Sequence, residues 1–115
     1  MKRLWLILFV FPIFAQGPLK YSIKFSGSTQ SNMPVLFLMH GYGNNEKQFN
    51  KLIEELNNNF LIVSMRAPFS FMLTKNRWYE YSISNGDTLS NQAQINESTN
   101  KIIQTIELIK KEYNV

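Results

Sequence analysis

The chain has 115 residues, of which 44% are hydrophobic and 17% charged, and it contains no cysteine. This is the composition of one globular domain rather than of a disordered or fibrous protein. The formal net charge is +4, but the sequence has no cluster of lysines and arginines interleaved with aromatic residues, so nothing in it supports nucleic-acid binding.

Residues 1–15 have the features of a secretory signal peptide. A basic start is followed by an apolar run from Leu4 to Phe14, and the small residue Ala15 offers a cleavage site. The run is too short to span a bilayer comfortably, and Pro12 interrupts it. We therefore expect cleavage near Ala15 and export to the periplasm or the extracellular space, without a stable membrane span. The alternative is an N-terminal segment that is retained, either buried or held in a membrane.

Three segments that follow have the pattern of β-strands. Leu19–Phe25 alternates apolar and polar residues, which indicates a strand with one buried face. Val35–Met39 is apolar at every position, which predicts a central strand that is covered on both faces. Phe60–Met65 has a similar composition and predicts its neighbour in a parallel sheet.

A helix is predicted between the last two strands. Phe49, Leu52, Ile53 and Leu56 have the spacing of one helical face, and Asn45 is a suitable N-cap. A strand, a helix and a second strand in this order form the βαβ unit of a parallel sheet.

The stretch 66–89 predicts a long irregular loop. It is rich in aromatic residues and is punctuated by Pro68 and by the sequence NGD at 85–87. Long loops are usually functional or disordered, and disordered segments contain few aromatic residues, so we expect a functional loop. Asp87 is a candidate catalytic acid, but Asn-Gly-Asp is also a common turn, and we favour the turn.

The C-terminal segment predicts a second crossover helix. Either Ser90 or Asn91 can cap its first turn, and Lys110 and Lys111 lie favourably in its last turn. Its apolar stripe consists of Ile95, Ile102, Ile106, Ile109 and Tyr113.

The chain's only histidine opens the turn HGYG, residues 40–43, directly after the strand Val35–Met39. Ligands of open α/β sheets bind at this end of the strands, and two glycines allow backbone N–H groups to approach a ligand closely. A phosphate cradle would need a lysine followed by serine or threonine, or a third glycine, and GYGNNEK has neither. An oxyanion hole needs a preorganised backbone donor, which a tight glycine turn favours.

The blocks VLFLMHGYGNNEKQF, FLIVSMRAPF and RWYEYSI resemble, in order and spacing, the N-terminal half of the phospholipase/carboxylesterase group of α/β-hydrolases, relatives of the acyl-protein thioesterases. The resemblance covers residues 35–113. It implies that residues 16–115 form the N-terminal portion of an α/β-hydrolase fold, with a mostly parallel sheet and crossover helices in three αβα layers. The implied activity is the hydrolysis of carboxylic esters through a nucleophilic serine.

The resemblance also implies roles for individual residues. The backbone N–H of Tyr42 would donate to the oxyanion, while His40, Gly41 and Gly43 would shape the turn. Trp78 and Tyr79 are similar to an aromatic pair beside the substrate cleft, although packing under a loop is an equally good account of both. For His40 we favour a structural role over metal ligation, because the chain has no second histidine or cysteine to share a metal.

The residues that would complete such an enzyme are absent from the sequence. The chain contains no G-x-S-x-G nucleophile elbow, and no acid and histidine follow one. We therefore expect a chain truncated before the nucleophile elbow and inactive by itself.

The substrate class stays open at this level. Short acyl esters, lysophospholipids and esterified polysaccharides all suit the resemblance, so we expect a small-molecule, lipid or polysaccharide ester, with no cofactor and no metal, since serine acyl transfer needs neither. The alternative function is a small exported, non-catalytic binding module whose aromatic loop, Phe69–Tyr81, holds a sugar or a lipid.

Overall fold

The computed structural model describes residues 17–26, 33–56 and 60–115. The predicted signal peptide, residues 1–15, lies outside these ranges. The elements of the described part are β1 (Tyr21–Ser26), β2 (Val35–Met39), α1 (Asn50–Glu55), β3 (Phe60–Met65), β4 (Phe69–Met72), β5 (Lys75–Arg77), β6 (Tyr81–Ser84), β7 (Asp87–Ser90) and α2 (Gln92–Tyr113).

The largest sheet has three strands in the order β1-β3-β2. Strand β3 pairs with β2 in parallel and with β1 antiparallel, so that Val63 lies opposite both Phe37 and Ile23. The three strands predicted from the sequence are confirmed, but the prediction that Val35–Met39 is central is wrong. The central, buried strand is β3, whereas β2 lies at the edge of the described sheet and is only half-buried.

The predicted fold class, a mostly parallel sheet with crossover helices in three αβα layers, is also wrong. Among the described strands, only the β2–β3 pair is parallel, while β1–β3, β4–β5 and β6–β7 are antiparallel and belong to three separate small sheets. The one long helix of the described residues, α2, follows a hairpin instead of joining two parallel strands. Neighbouring short segments pair locally here, and that pairing requires no crossover.

The predicted irregular loop consists largely of two hairpins. Strands β4 and β5 pair with a register shift between Ser70 and Met72, and β6 and β7 are joined by two residues, Asn85 and Gly86. Their φ angles of 50° and 82° are those of a type I′ turn, which matches the twist of the flanking strands. The turn at residues 85–87 is therefore present, with Asp87 paired to Ser84 at its base.

The main core lies between one face of the three-stranded sheet and α2. Ile109 of α2 is fully buried against Leu61, Val63 and Met65 of β3. The N–H of Leu19 donates to the hydroxyl of Thr105 at 2.9 Å, which fastens α2 to the segment before β1. No described helix is long and apolar enough to cross a membrane.

The two helices differ in how well their starts were predicted. Asn91 caps α2, accepting from the N–H of Gln94 at 3.1 Å, as expected. Asn45 does not cap α1, which begins only at Asn50 after a series of turns, and its side chain accepts instead from the N–H of Lys47 at 2.9 Å. Such a local bond competes with helix formation, which explains the late start.

Candidate functional site

The HGYG segment forms a tight turn directly after β2. The N–H of Asn44 donates to the carbonyl of Gly41 at 3.2 Å, which places Tyr42 and Gly43 at the two central positions. Gly43 has a φ of 78°, whereas Tyr42 does not have a positive φ, so the turn is type II. The requirement for glycine is therefore at residue 43, while Gly41 has no such constraint.

The N–H groups of this turn are almost all occupied. Gly41 donates to the side-chain oxygen of Gln48 at 2.8 Å, and Gly43 donates to the carbonyl of Asn76 at 2.9 Å. Asn44 closes the turn itself. Within the described part of the chain, the N–H of Tyr42 is the one donor of residues 41–44 without an acceptor. The turn thus holds one free donor in a fixed backbone.

The β4–β5 hairpin holds this turn from outside. Asn76 accepts from Gly43 and donates its own N–H to Asn44 at 2.9 Å, which makes a small antiparallel bridge. The side chain of Asn45 donates to the carbonyl of Thr74 at the tip of the same hairpin, at 2.9 Å. Bonds on both sides of Tyr42 therefore restrict how its N–H can move.

His40 is buried and bonded to backbone through both ring nitrogens. Nε2 accepts from the N–H of Ala67 at 2.9 Å, and Nδ1 lies 2.7 Å from the carbonyl of Gly41. Because Ala67 can only donate, the ring proton is on Nδ1, which donates to Gly41. This arrangement links the end of β2 to the segment after β3 and leaves neither nitrogen available to a substrate.

Trp78 packs directly on His40. The two ring centroids are 5.3 Å apart, and the indole N–H donates to the carbonyl of His40 at 2.8 Å. Trp78 and Tyr79 also line an apolar groove of about 240 Å³ together with Met39 at the end of β2 and Ile95 and Ile102 of α2. Trp78 therefore packs against His40 and also borders the groove, while Tyr79 is more exposed.

The side chain of Tyr42 belongs to a second aromatic group, which we call the aromatic cluster: Tyr42, Phe71 and Tyr81. The Tyr42 ring lies 5.3 Å from both other rings, and its hydroxyl accepts from Arg77 at 3.1 Å. This hydrogen bond is the main reason why the pKa of Arg77 is raised. About half of the surface of Tyr42 and of Tyr81 is exposed, so the cluster faces solvent.

Arg66 forms an ion pair with Glu46, which lies close to the turn in the chain. Arg66, which follows β3, donates from Nε to Glu46 at 2.6 Å and makes a second bond to the other carboxylate oxygen. The hydrogen bonds from Arg66 lower the pKa of Glu46, and the same bonds raise the pKa of Arg66. The bidentate pair joins the loop after β2 to the loop after β3.

The structure places the predicted residues in two adjacent groups. His40, Gly41, Gly43 and the Tyr42 N–H share one turn, and Trp78 joins them through the His40 carbonyl. Tyr79 lines the groove, to which Tyr42 does not contribute. Sequence reasoning missed Gln48 and Asn76, which hold the turn. Neither has a local pattern that could have identified it, because each acts through one hydrogen bond set by the fold.

Among the described residues, no group of three or more histidine, aspartate or glutamate side chains is arranged to hold a metal ion. Comparisons of the chain with models of known protein families, with curated proteins and with solved structures give no match.

Proposed function

We propose that this chain supplies the oxyanion-binding part of a serine carboxylic ester hydrolase related to the phospholipase/carboxylesterase group. The observation that carries the proposal is the N–H of Tyr42, which has no acceptor among the described residues and lies within a type II turn whose other N–H groups are bonded. A donor fixed before the reaction stabilises the negative oxygen of a tetrahedral intermediate without reorganisation during the reaction.

Each neighbouring residue has a defined task in this proposal. Gln48 and Asn76 fix the backbone on either side of Tyr42 through Gly41 and Gly43. His40 fastens the start of the turn to Ala67 and has no role as a base, since both of its nitrogens are used by backbone groups. The substrate carbonyl oxygen accepts from Tyr42, and the apolar groove beside Trp78 is wide enough for a short acyl or alkyl group.

The nucleophile and the general base must come from residues outside these 115, because the chain contains no serine elbow and its one histidine is occupied. We therefore expect the 115-residue chain alone to leave aryl esters unhydrolysed. An oxyanion donor by itself provides no attacking group.

The first test is to sequence the encoding DNA beyond the codon for Val115 in all three frames. The proposal expects a G-x-S-x-G within about a strand's length, followed later by an aspartate and a histidine. The longer polypeptide should then hydrolyse p-nitrophenyl acetate, and its variant with alanine at the new serine should not. Absence of the elbow from every frame, or activity that survives loss of the serine, would overturn the proposal.

A second candidate function is supported by a different observation, the exposed aromatic cluster of Tyr42, Phe71 and Tyr81. Exposed rings beside one another can hold a sugar or a lipid, as in a non-catalytic binding module. This function expects the 115-residue chain to be stable and monomeric and to bind such a ligand without chemistry. Sedimentation of the purified chain, with and without an oligosaccharide, tests it.

A further inference from the structure

The β4–β5 hairpin ends in an exposed apolar bend. Strand β4 ends at Met72 and β5 begins at Lys75, so Leu73 and Thr74 form the bend itself. We call Met72, Leu73, Thr74 and Lys75 the hairpin tip. Leu73 is 106% exposed and Met72 is 59% exposed, so water surrounds most of both side chains. A partner that removes two adjacent apolar side chains from water lowers the free energy of the system.

Hydrogen bonds hold the backbone of the hairpin tip in place. The carbonyl of Thr74 accepts from the side chain of Asn45 at 2.9 Å, directly at the bend. Immediately after the tip, the backbone of Asn76 makes two hydrogen bonds of 2.9 Å to the turn that follows β2. The bend is therefore ordered before any partner arrives, and its binding costs little conformational entropy of the backbone.

Three lysines surround the hairpin tip. Lys75 belongs to the tip, Lys47 closely follows Asn45 in the chain, and Lys20 lines the same cleft as Leu73. All three lysines are exposed, and none of the ion pairs between described residues includes one of them. Their positive charges are therefore directed to solvent.

The acidic residues of the neighbouring segments do not offset these lysines. Glu46, in the turns before α1, is paired with Arg66, and Glu80, after β5, is paired with Arg77. Each of these acids neutralises an arginine. The surface around the hairpin tip therefore has an excess of positive charge.

A bilayer that contains anionic lipids complements both features of this surface. Exposed apolar side chains enter the boundary between headgroups and hydrocarbon, while lysines keep their ammonium groups at the level of the headgroups through their long stems. An apolar groove on a protein would also cover Met72 and Leu73, but it would not account for the three lysines around them. The charge therefore favours a lipid surface as the partner.

We propose that the hairpin tip docks on anionic lipid membranes, with its two apolar side chains inserted between the headgroups and Lys20, Lys47 and Lys75 facing the lipid phosphates. Only the bend of one hairpin is inserted, so the contact is peripheral and reversible. The proposal is independent of both candidate functions, because the tip supplies neither the oxyanion donor nor a ring of the aromatic cluster.

A fluorescent label at the hairpin tip tests this docking. The chain has no cysteine, so Thr74→Cys can carry a single nitrobenzoxadiazole group, and both apolar side chains of the tip are kept. Vesicles of phosphatidylglycerol and of phosphatidylcholine are added separately. We expect a saturable shift of the emission to shorter wavelength with phosphatidylglycerol and a much weaker response with phosphatidylcholine. Lipids with a nitroxide on the acyl chain should quench the label.

Lys111→Cys with the same label is the control, because Lys111 lies near the other end of the three-stranded sheet. The ring of Tyr113 lies 6.3 Å from that of Phe25, which is opposite the start of β3, whereas the hairpin follows the end of β3. This label should not respond. The apolar residues 4–14 are present in both labelled chains, so binding through them alone would not distinguish the two positions.

Further replacements in the Thr74→Cys chain separate the apolar contribution from the charge. Leu73→Ser should weaken binding to phosphatidylglycerol vesicles about tenfold, because most of an apolar side chain no longer leaves water. Lys75→Gln should weaken it about fivefold, the usual effect of one lysine beside an anionic surface, while Lys111→Gln should leave it unchanged. All four positions are exposed, and circular dichroism verifies that each variant is folded.

Four results would each overturn the proposal. The label at residue 74 does not respond to vesicles, the labels at residues 74 and 111 respond equally, or Leu73→Ser leaves the response unchanged. The fourth is a shift that grows with protein concentration in the absence of vesicles, which would assign the hairpin tip to contacts between copies of the chain.

Discussion

Nε2 of His40 accepts a 2.9 Å hydrogen bond from the N–H of Ala67, which lies 27 residues further along the chain. Both residues are almost completely buried, with 3% and 1% of their surface exposed. The bond connects the ends of the parallel strands β2 and β3, where the turn with the free Tyr42 donor begins. His40 therefore acts by holding the backbone of this turn in place.

Replacing His40 by alanine should destabilise the chain by about 3 kcal/mol, because it leaves the buried Ala67 N–H without an acceptor and opens a cavity beside Trp78. Urea denaturation followed by tryptophan fluorescence measures the loss of stability. His40→Gln places an acceptor within reach of Ala67 and should recover part of the stability. Equal losses in the two variants would show that this hydrogen bond contributes nothing.

The two glycines of the turn should differ in their tolerance of a side chain. Gly43→Ala should cost about 1–2 kcal/mol, since its φ of 78° is unfavourable for any residue with a Cβ. The added Cβ would lie 3.6 Å from Phe71, an ordinary contact, so the cost is conformational and not steric.

Gly41→Ala is the control for that measurement, because Gly41 has no positive φ and its Cβ would meet only Gln48 at 3.9 Å. We expect a change within about 0.5 kcal/mol. Thermal denaturation of both variants makes the comparison, and a greater loss at residue 41 than at residue 43 would contradict the turn geometry.

The ion pair between Arg66 and Glu46 should make stability depend on pH in the acid range. Arg66 lowers the pKa of Glu46 in the folded chain below its unfolded value, which is about 4.3. The pair therefore stabilises fully above the unfolded pKa, and its contribution is lost as the pH falls through the lower, folded pKa. Its size is about 1 kcal/mol, since the Arg66 side chain is one-third exposed.

Urea midpoints between pH 6 and pH 2 test this dependence. Glu46→Gln should lower the stability of the chain at pH 6. It should also remove the part of the acid-induced loss of stability that is due to the ion pair. Glu55→Gln, at an exposed position of α1, should follow the parent chain across the range. A Glu46→Gln curve parallel to the parent curve would exclude a stabilising ion pair.

The free donor at Tyr42 predicts a pattern of amide hydrogen exchange. Its N–H has no acceptor among the described residues, whereas those of Gly41, Gly43 and Asn44 are bonded. We expect the Tyr42 amide to exchange at least about tenfold faster than its three neighbours, since each of those must first open a hydrogen bond. Protection of Tyr42 equal to that of Gly43 would mean that the donor is occupied.

The sequence locates a strand well where apolar residues alternate with polar ones or form an uninterrupted run. The alternation of Leu19–Phe25 and the apolar runs that became β2 and β3 were sufficient to locate all three strands. It could not say which apolar strand is central, because an uninterrupted apolar run does not identify the partners of a strand. That depends on β1 pairing with β3, a contact between distant residues.

The hairpins of residues 69–90 and the supports of the turn were missed for two different reasons. Strands β6 and β7 do have a local signal, because Tyr81-Ser82-Ile83-Ser84 alternates apolar and polar residues directly before the hairpin pair Asn85-Gly86, but the prediction of a turn alone left out the strands that flank it. Gln48 and Asn76 have no local signal at all. Their role arises only when the hairpin and the turns before α1 are brought against residues 41–44.

The sharpest prediction for the ester-hydrolase proposal is that Tyr42→Pro separates stability from activity. Proline has no N–H, and it suits the first central position of a type II turn, which Tyr42 occupies. No backbone hydrogen bond within the described chain is lost. We expect the unfolding midpoint to stay close to that of Tyr42→Ala, while kcat for p-nitrophenyl acetate in the longer, serine-containing polypeptide falls by about 10²–10³, the usual effect of removing an oxyanion donor.

Tyr42→Ala is the control that makes this result specific, because it removes the same ring from the aromatic cluster but keeps the N–H. If the alanine variant loses as much kcat as the proline variant, the ring and its bond to Arg77 carry the effect, and the oxyanion role is wrong. If only the proline variant loses kcat, with KM little changed, the missing group acts in the transition state and not in substrate binding. The backbone donor of Tyr42 is then the functional group of the HGYG turn.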